Sequence, residues 1–426
     1  MKKILLTLSL ILIGSMTCLF AQTGTWSGRL EGGGASLRIV FHLDDPCTLD
    51  SPDQGVTGIE ATLERTLTGI KVSIPSLGAT YEGLFNGKNI IGTFTQGASY
   101  PLTLSPGEEK LSRPQTPKGP FPYSTEEVSF SNGDAVLKGT LTLPQGWTKD
   151  TPVLVMVTGS GFQNRDEEIY EHKPFAVIAD HLAKNGIATM RYDDRGFGES
   201  TGDVVFYTTE DLKNDALKGV ELMRERFSKV GVIGHSEGGT IALMLASEGK
   251  TDFIVSLAGM VISGEKTLLL QNRHALKSAG FTDEIIDKYC KALEDVFAQA
   301  KSGVNPVPPT DTGLPAALSQ NLALVCAQCS TPYMKYFIGM DVSASLGKIT
   351  CPVLALNGTL DTQVDCTLNL TPLREGLTSP NEIVPFEGLN HLFQHCESGE
   401  SSEYKDIEET FSPEVLEKIS SWMKGL

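Results

Sequence analysis

Short apolar runs alternate with amphipathic stretches between about residues 150 and 259, and this alternation limits the possible fold more than any other feature. The apolar runs are PVLVMVTG, IATMRYD, KVGVIG and FIVSLAG, and stretches such as TEDLKNDALKGVELMRERF lie between them. Continuously apolar runs of this length are typical of strands buried on both faces, whereas the longer stretches have helical periodicity. The pattern predicts an α/β domain with a mostly parallel sheet and helices on both of its faces.

The same domain is predicted to extend over residues 126–426. The segment EEVSFSNGDAVLKGTLTLP predicts two strands joined by an Asn132-Gly133 turn, and CPVLALNG, NEIVPFEG and a final amphipathic helix complete the pattern near the C-terminus. Between the strands FIVSLAG and CPVLALNG, residues from about 260 to 348 have helical periodicity only. Helices inserted between strands of such a sheet commonly cover its open end, so we predict that this insertion is a lid.

Residues 22–111 have a different pattern of apolar and polar residues. The runs SLRIVFHL, GIEATLE, GIKVSIP, ATYEGLF and NIIGTFTQ follow one another at close spacing, separated by glycine and polar turns. This spacing predicts a small all-β domain, either a sandwich or a barrel. Residues 112–125 hold four prolines and few large apolar side chains, which predicts a stiff linker between the two domains.

The first 21 residues predict a secretory signal peptide. Lys2 and Lys3 precede an apolar core, and Ala21 provides a small residue for cleavage. The three residues before Cys18 match a lipobox poorly, which disfavours lipidation. We therefore expect an exported protein, periplasmic or extracellular after cleavage near Ala21. No later stretch has the ~20 apolar residues needed to span a bilayer.

Composition limits the classes of partner and cofactor. Removal of the signal peptide changes the formal net charge from −17 to −19, because that segment contains two lysines and no acidic residue. Because a chain with this net negative charge repels other polyanions, nucleic acid and anionic lipid are disfavoured as partners. Cys326 and Cys329 form a lone C-x-x-C, which is weak evidence for metal or redox chemistry. Cysteines on a helix surface or in the core, or a local disulfide, are favoured instead. H-E-x-x-H, phosphate-loop and dinucleotide motifs are absent, so we expect no metal and no organic cofactor.

One serine lies between glycines where an apolar run meets a helical stretch. Gly234-His235-Ser236-Glu237-Gly238 fits G-x-S-x-G, a strand-to-helix turn that exposes a nucleophile. The motif alone also fits a turn whose serine merely caps a helix. A serine nucleophile needs a base and a carboxylate, which in sheets of this kind follow it in the order acid, histidine, each after a strand.

Both groups follow Ser236 in that order. Asp361 comes a few residues after the strand PVLALNG, whereas Asp365 is better explained as the N-cap of the next helix. His391 lies on the short loop after IVPFEG, and His395 lies one turn further along the chain. We predict a triad in which Ser236 is the nucleophile, His391 the base and Asp361 the carboxylate.

The oxyanion formed when a serine attacks a carbonyl needs two amide donors. We predict that the first is the backbone N–H of Glu237, at the amino end of a helix whose dipole favours negative charge. The second is expected from the loop after PVLVMVTG, where Ser160 is the first choice and Gly161 the alternative. The Glu237 side chain is expected to be structural.

Taken together, these motifs resemble the α/β-hydrolase superfamily, and within it the EstD-type bacterial esterases and the S33-peptidase-like hydrolases. The pieces that carry the resemblance are TGSGFQNRDE, RYDDRGFGESTGD, GHSEGG, CPVLALNGTLDTQV and GLNHLFQ. The resemblance implies the same three catalytic residues, and it implies that Asp193 to Ser200 form a structural turn. Many relatives carry His-Gly where this chain has Thr158-Gly159, which leaves the donor amides in place. Arg165, Asp166 and Glu167 either pair internally or line the pocket.

The sequence therefore predicts a secreted serine hydrolase that cleaves small-molecule carboxylic esters through an acyl-enzyme. The first alternative is a serine peptidase or amidase that uses the same triad. The second is a binding protein built on a hydrolase scaffold that has lost its activity. The intact order of serine, acid and histidine argues against the second alternative.

Overall fold

The computed structural model describes residues 23–32, 35–54, 56–66 and 68–426. The predicted signal peptide, residues 1–21, lies outside the described residues. The chain divides into two compact units, Met1–Ser112 and Arg113–Leu426. The domain boundaries and the linker of the sequence prediction stay predictions, but the division defines the two parts described below.

The first unit contains a closed barrel of antiparallel strands. Its strands are β1 (Thr25–Gly32), β2 (Ala35–His42), β3 (Cys47–Ser51), β4 (Val56–Arg65), β5 (Gly69–Ile74), β6 (Ala79–Phe85), β7 (Ile90–Gln96) and β8 (Ala98–Pro106). Each strand pairs with the next, and β1 pairs with β8 through Ser27 and Ser105. Apolar side chains such as Phe41, Val72 and Tyr81 are fully buried inside. Of the two predicted all-β architectures, the barrel is the one observed.

The second unit is built on an eight-stranded sheet in the order β16-β15-β14-β13-β11-β12-β10-β9. The strands are β9 (Ser124–Asn132), β10 (Ala135–Leu143), β11 (Val153–Val157), β12 (Ala188–Tyr192), β13 (Val230–His235), β14 (Ile254–Leu257), β15 (Val353–Gly358) and β16 (Asn381–Phe386). β9, β10 and β12 pair antiparallel, and the other neighbours are parallel. The predicted α/β fold class is confirmed.

Helices cover both faces of this sheet. They are α1 (Pro174–Lys184), α2 (Thr209–Arg224), α3 (Glu237–Ser247), α4 (Gly264–Ser278), α5 (Asp283–Lys301), α6 (Ala316–Gln328), α7 (Pro332–Gly339), α8 (Cys366–Gly376) and α9 (Pro413–Lys424). Apolar residues of α2, α3 and α8 pack on one face, and those of α1 and α9 pack on the other. Successive residues of β11 alternate between the two cores, as the period of a strand requires.

The helices α4 to α7 form an insertion between β14 and β15, two strands that are neighbours in the sheet. The insertion has an apolar core of its own, which includes Tyr289, Leu293, Phe297 and Leu322. The predicted helical periodicity of this segment is therefore observed. That the insertion acts as a lid stays a prediction.

The hairpin between β9 and β10 turns one residue later than predicted. Ala135 pairs with Asn132, so the two-residue loop is Gly133-Asp134 rather than Asn132-Gly133. Gly133 has φ +60°, a conformation that glycine adopts without steric cost. The difference arises because strand pairing extends through Asn132, whose side chain donates to the buried Asp215.

The described cysteines are free thiols, and no disulfide occurs among them. Cys326 and Cys329 are buried in the core of the insertion, which is one of the placements that the sequence left open. Within the described residues, no group of three or more His, Cys, Asp or Glu side chains is arranged to hold a metal ion. In the same part of the chain, every helix is too short or too polar to cross a membrane.

Candidate active site

Ser236 occupies a sharp turn between a strand and a helix. β13 ends at His235 and α3 begins at Glu237, and Ser236 between them has φ 53° and ψ −116°. A positive φ is strained for serine, and such strain is concentrated at functional sites. A Cβ atom on Gly234 would lie 2.0 Å from the carbonyl oxygen of Gly238. The glycines of the motif therefore allow the strand and helix to approach closely enough for this turn.

Asp361 and His391 are joined by a short hydrogen bond. Oδ2 of Asp361 lies 2.7 Å from Nδ1 of His391, and the two side chains are 0% and 5% exposed. The other carboxylate oxygen, Oδ1, accepts the backbone N–H groups of Gln363 and Val364, each at 2.8 Å. Because an ionised carboxylate only accepts hydrogen bonds, Nδ1 of His391 carries the proton and Nε2 is left as a base.

The two competing residues lie elsewhere. Asp365 caps α8 by accepting the backbone N–H of Leu368 at 2.8 Å. The side chain of His395 is 57% exposed and pairs with Glu409 at 2.8 Å. Neither residue lines the cavity described next.

Ser236 and His391 line a common cavity of about 170 Å³. The other lining residues are Gly159, Ser160, Gln163, Glu167, Ile169, His235, Gln363, Leu392 and Tyr404. The Gln363 amide donates to the hydroxyl of Tyr404 at 2.9 Å, and burial raises the pKa of Tyr404, so its phenol is neutral. The cavity thus presents three hydroxyl groups, two histidine rings, two side-chain amides and the carboxylate of Glu167, together with apolar groups.

The loop after β11 presents backbone amides to this cavity. The N–H of Gly159 is already occupied, because it donates to Oε1 of Glu167 at 2.8 Å. The N–H of Ser160 forms no hydrogen bond within the described residues, and Ser160 lines the cavity, whereas Gly161 does not. The N–H of Glu237 begins α3 and has no acceptor within that helix. Ser160 and Glu237 therefore have amides that are available to a bound anion.

The Glu237 side chain connects the serine turn to the helical insertion. Its carboxyl group accepts hydrogen bonds from the hydroxyls of Thr209 and Tyr333, both at 2.6 Å, and it is fully buried. Burial raises the pKa of Glu237, although these hydrogen bonds act in the opposite direction. Tyr333 belongs to α7 and stacks on Tyr207 with ring centroids 5.1 Å apart. The Glu237 side chain thus joins α2 and α7 and does not line the cavity; its structural role stays a prediction.

The turn from Asp193 to Ser200 is held by buried ion pairs. The Asp193 carboxylate accepts hydrogen bonds from the backbone and guanidinium of Arg165, and Arg195 pairs with Asp215 at 2.7 Å. Asp193 and Arg195 are both buried. None of these side chains lines the cavity, and through Arg165 they join the turn to the segment that follows β11.

Three charged residues follow the loop that bears the predicted oxyanion donor (residues 158–162, hereafter the oxyanion loop): Arg165 and Asp166 form internal ion pairs, while Glu167 lines the cavity. Oε1 of Glu167 lies 2.9 Å from Nδ1 of His235, whose Nε2 lies 2.9 Å from the carbonyl oxygen of His391. Burial lowers the pKa of His235, but the Glu167 carboxylate, the carbonyl oxygen of His391 and the charge of Asp361 together outweigh it, so that this pKa is raised. This pair was not predicted from the sequence, although Glu167 ends the motif TGSGFQNRDE and His235 lies within GHSEGG.

Comparisons with known proteins identify relatives of this chain. A family model described as "Serine aminopeptidase, S33" matches residues 171–395, just over half of the chain. Esterase EstD of Thermotoga maritima is 29% identical over 312 residues, which cover 71% of this chain and 68% of that relative. An acyl transferase of Shewanella woodyi is 28% identical over 146 residues, covering 32% of this chain and 46% of that relative.

Two solved structures also align with the chain. Est1E from Butyrivibrio proteoclasticus with bound ferulic acid has a TM-score of 0.43 and 16% identity, covering 70% of this chain and 96% of its own. An esterase from Pyrococcus furiosus has a TM-score of 0.45 and 16% identity, covering 75% of this chain and 98% of its own.

Proposed function

This chain belongs to the serine aminopeptidase S33 family of hydrolases, and from that premise we propose that it hydrolyses carboxylic esters through an acyl-enzyme on Ser236. In this mechanism His391 removes the proton of the serine hydroxyl as the oxygen attacks the acyl carbon. Nε2 then returns the proton to the leaving alcohol, and a water molecule activated by the same imidazole releases the acid. Asp361 orients the imidazole, and the amides of Glu237 and Ser160 stabilise the oxyanion.

The observation that carries this proposal is the Asp361–His391 hydrogen bond of 2.7 Å beside the cavity that Ser236 lines. Serine is a weak nucleophile at neutral pH without a base held in one tautomer. The two backbone amides on Oδ1 of Asp361 hold the carboxylate in the orientation that this tautomer requires.

The cavity lining favours ester over aminopeptide substrates. An aminopeptidase must bind the ammonium group of its substrate, for which a carboxylate with spare acceptor capacity is the natural partner. Glu167 is the one carboxylate that lines the described cavity, and its charge is already paired with His235, while Oε1 also accepts the N–H of Gly159, so a substrate ammonium group would have to compete with His235 for it. The similarity to esterase EstD also favours esters.

We also propose that the mature protein is exported and that the helical insertion limits access to the cavity. The first proposal depends on the signal-peptide pattern of residues 1–21. The second depends on contacts of the insertion with the loops around the site. Tyr333 donates to Glu237, and Gln271 of α4 donates to the carbonyl oxygen of Gln363 at 2.9 Å.

Labelling with a fluorophosphonate tests the nucleophile. Wild type and Ser247→Ala, a substitution at the far end of α3, are expected to be labelled, and Ser236→Ala is not. Absence of labelling in all three proteins would instead favour a binding protein on a hydrolase scaffold.

Parallel assays on p-nitrophenyl acyl esters and aminoacyl p-nitroanilides test the reaction. We expect kcat/KM to be higher for the esters, with the best substrates carrying short acyl chains because the cavity is small. A higher kcat/KM for the anilides would identify a peptidase or amidase.

A further inference from the structure

The imidazole of His235 lies between two hydrogen-bond acceptors. A carbonyl oxygen can only accept, so Nε2 of His235 carries a proton and donates it to the carbonyl oxygen of His391. Oε1 of Glu167 accepts the N–H of Gly159, and because a carboxylate oxygen only accepts hydrogen bonds, Nδ1 of His235 is the donor in its contact with Oε1. Both ring nitrogens then carry protons, which makes His235 an imidazolium paired with the Glu167 carboxylate.

This pair is buried and electrically balanced. The side chains of His235 and Glu167 are 8% and 5% exposed. Asp361, which is hydrogen-bonded to the neighbouring His391, adds a second negative charge that favours the imidazolium. A buried pair of this kind adds little net stability, but removing one partner is costly because the other charge stays behind without compensation.

The pair joins three segments whose relative positions matter for the proposed reaction. Gly159 belongs to the oxyanion loop, His235 immediately precedes Ser236, and His391 lies on the loop after β16. A Cβ on Gly159 would lie 3.3 Å from Cβ of Ser236 and 3.4 Å from Oε1 of Glu167, so these segments are in close contact. Glu167 itself has φ 53°, a strained conformation that the surrounding structure must impose.

We propose that Glu167 and His235 are positioning residues that hold the main chain of His391 and the oxyanion loop in place relative to Ser236. The inference rests on the proposed ester hydrolysis for its kinetic consequence, but the pair itself is independent of it. Misplacement of a reacting group by about 1 Å can lower turnover about 10²-fold without removing any group that binds substrate. The pair should therefore control kcat more than KM.

Kinetics of Glu167→Gln on p-nitrophenyl acetate test this role. An amide oxygen can still accept the N–H of Gly159, but the amide cannot compensate an imidazolium, so His235 loses a proton and one of its two hydrogen bonds. We expect kcat to fall about 10- to 100-fold, with KM changed less than about threefold. The matched control is Glu168→Gln, which removes the neighbouring charge that pairs with Lys173 at 3.3 Å and should stay near wild type.

Two substitutions of His235 provide a second, independent test. The terminal amide of glutamine overlays Nε2 of histidine and can donate to the His391 carbonyl, whereas leucine cannot. We expect His235→Gln to recover part of the kcat that His235→Leu loses. Equal kcat in the two variants, or a Glu167→Gln enzyme with wild-type kcat, would overturn the proposal.

Nitrogen-15 NMR of histidine in the Ser236→Ala background tests the pair without any catalysis. We expect both ring nitrogens of His235 to be protonated at pH 8, and one of them to lose its proton in Glu167→Gln. A neutral His235 at pH 8 overturns the inference even if the enzyme is an active esterase. Conversely, an imidazolium in a protein that cleaves no ester supports the pair and refutes the proposed function.

Discussion

Asp361→Asn should nearly abolish turnover while leaving the fold intact, and the contacts of Asp361 explain why. Oδ1 accepts two backbone N–H groups, from Gln363 and Val364, so the carbonyl oxygen of an asparagine must occupy that position. The NH₂ group then occupies the position of Oδ2, 2.7 Å from Nδ1 of His391. Because an NH₂ group donates, Nδ1 must accept, and the proton of the neutral imidazole moves to Nε2.

An imidazole with its proton on Nε2 cannot take a proton from Ser236. The loss expected for this wrong tautomer is about 10⁴-fold in kcat, which corresponds to about 5 kcal/mol of transition-state stabilisation. The free energy of unfolding should change little, since the asparagine keeps both backbone hydrogen bonds and the volume of the side chain.

Steady-state hydrolysis of p-nitrophenyl acetate and urea unfolding measure the two quantities. Asp365→Asn is the matched control, because Asp365 makes the same kind of bond to a backbone N–H but only caps α8. We expect that control to keep wild-type kcat. A kcat for Asp361→Asn within tenfold of wild type, or an equal loss in Asp365→Asn, would refute the assigned role of Asp361.

Three further predictions concern packing, a buried carboxyl group and pH. Gly238→Ala should lower the free energy of unfolding by about 1–3 kcal/mol or more and prevent fluorophosphonate labelling, because its Cβ would lie 2.1 Å from a backbone carbonyl oxygen of β11. Gly339→Ala is the control for both measurements, since Gly339 has open space around it. Tyr333→Phe should lower the free energy of unfolding by about 1–3 kcal/mol, measured by urea, because the fully buried Glu237 loses a hydroxyl donor. Burial lowers the pKa of His172 from 6.5 to about 4, so between these pH values only the unfolded state binds the proton. As the pH falls from 6.5 to 4, the free energy of unfolding of wild type should therefore decrease by up to about 3 kcal/mol relative to that of His172→Gln.

Most strands and helices of the α/β unit could be predicted from local sequence patterns. Apolar runs such as residues 153–157 are short and continuous because both faces of the sheet are covered, and that burial is visible in the sequence itself. The placement of Asp361 and His391 after successive strands could be predicted for the same reason. Parallel strands bring the residues that follow their carboxyl ends to one edge of the sheet.

Features that depend on distant pairing could not be predicted in this way. The choice between a sandwich and a barrel depends on whether β1 meets β8, about 80 residues further along the chain. Glu167 and His235 are likewise separated by 68 residues, and neither motif indicates that the two side chains share a proton. Buried charges follow no periodicity, so only their three-dimensional environment reveals their partners.

The helical insertion leaves the sheet after β14 and returns at β15, two adjacent strands, and it packs around an interior of its own. Its length and composition can consequently change, over evolution or by design, while β14 and β15 keep their register in the sheet. If the insertion limits access to the cavity as proposed, exchange of this module between homologues is expected to alter selectivity without altering the sheet.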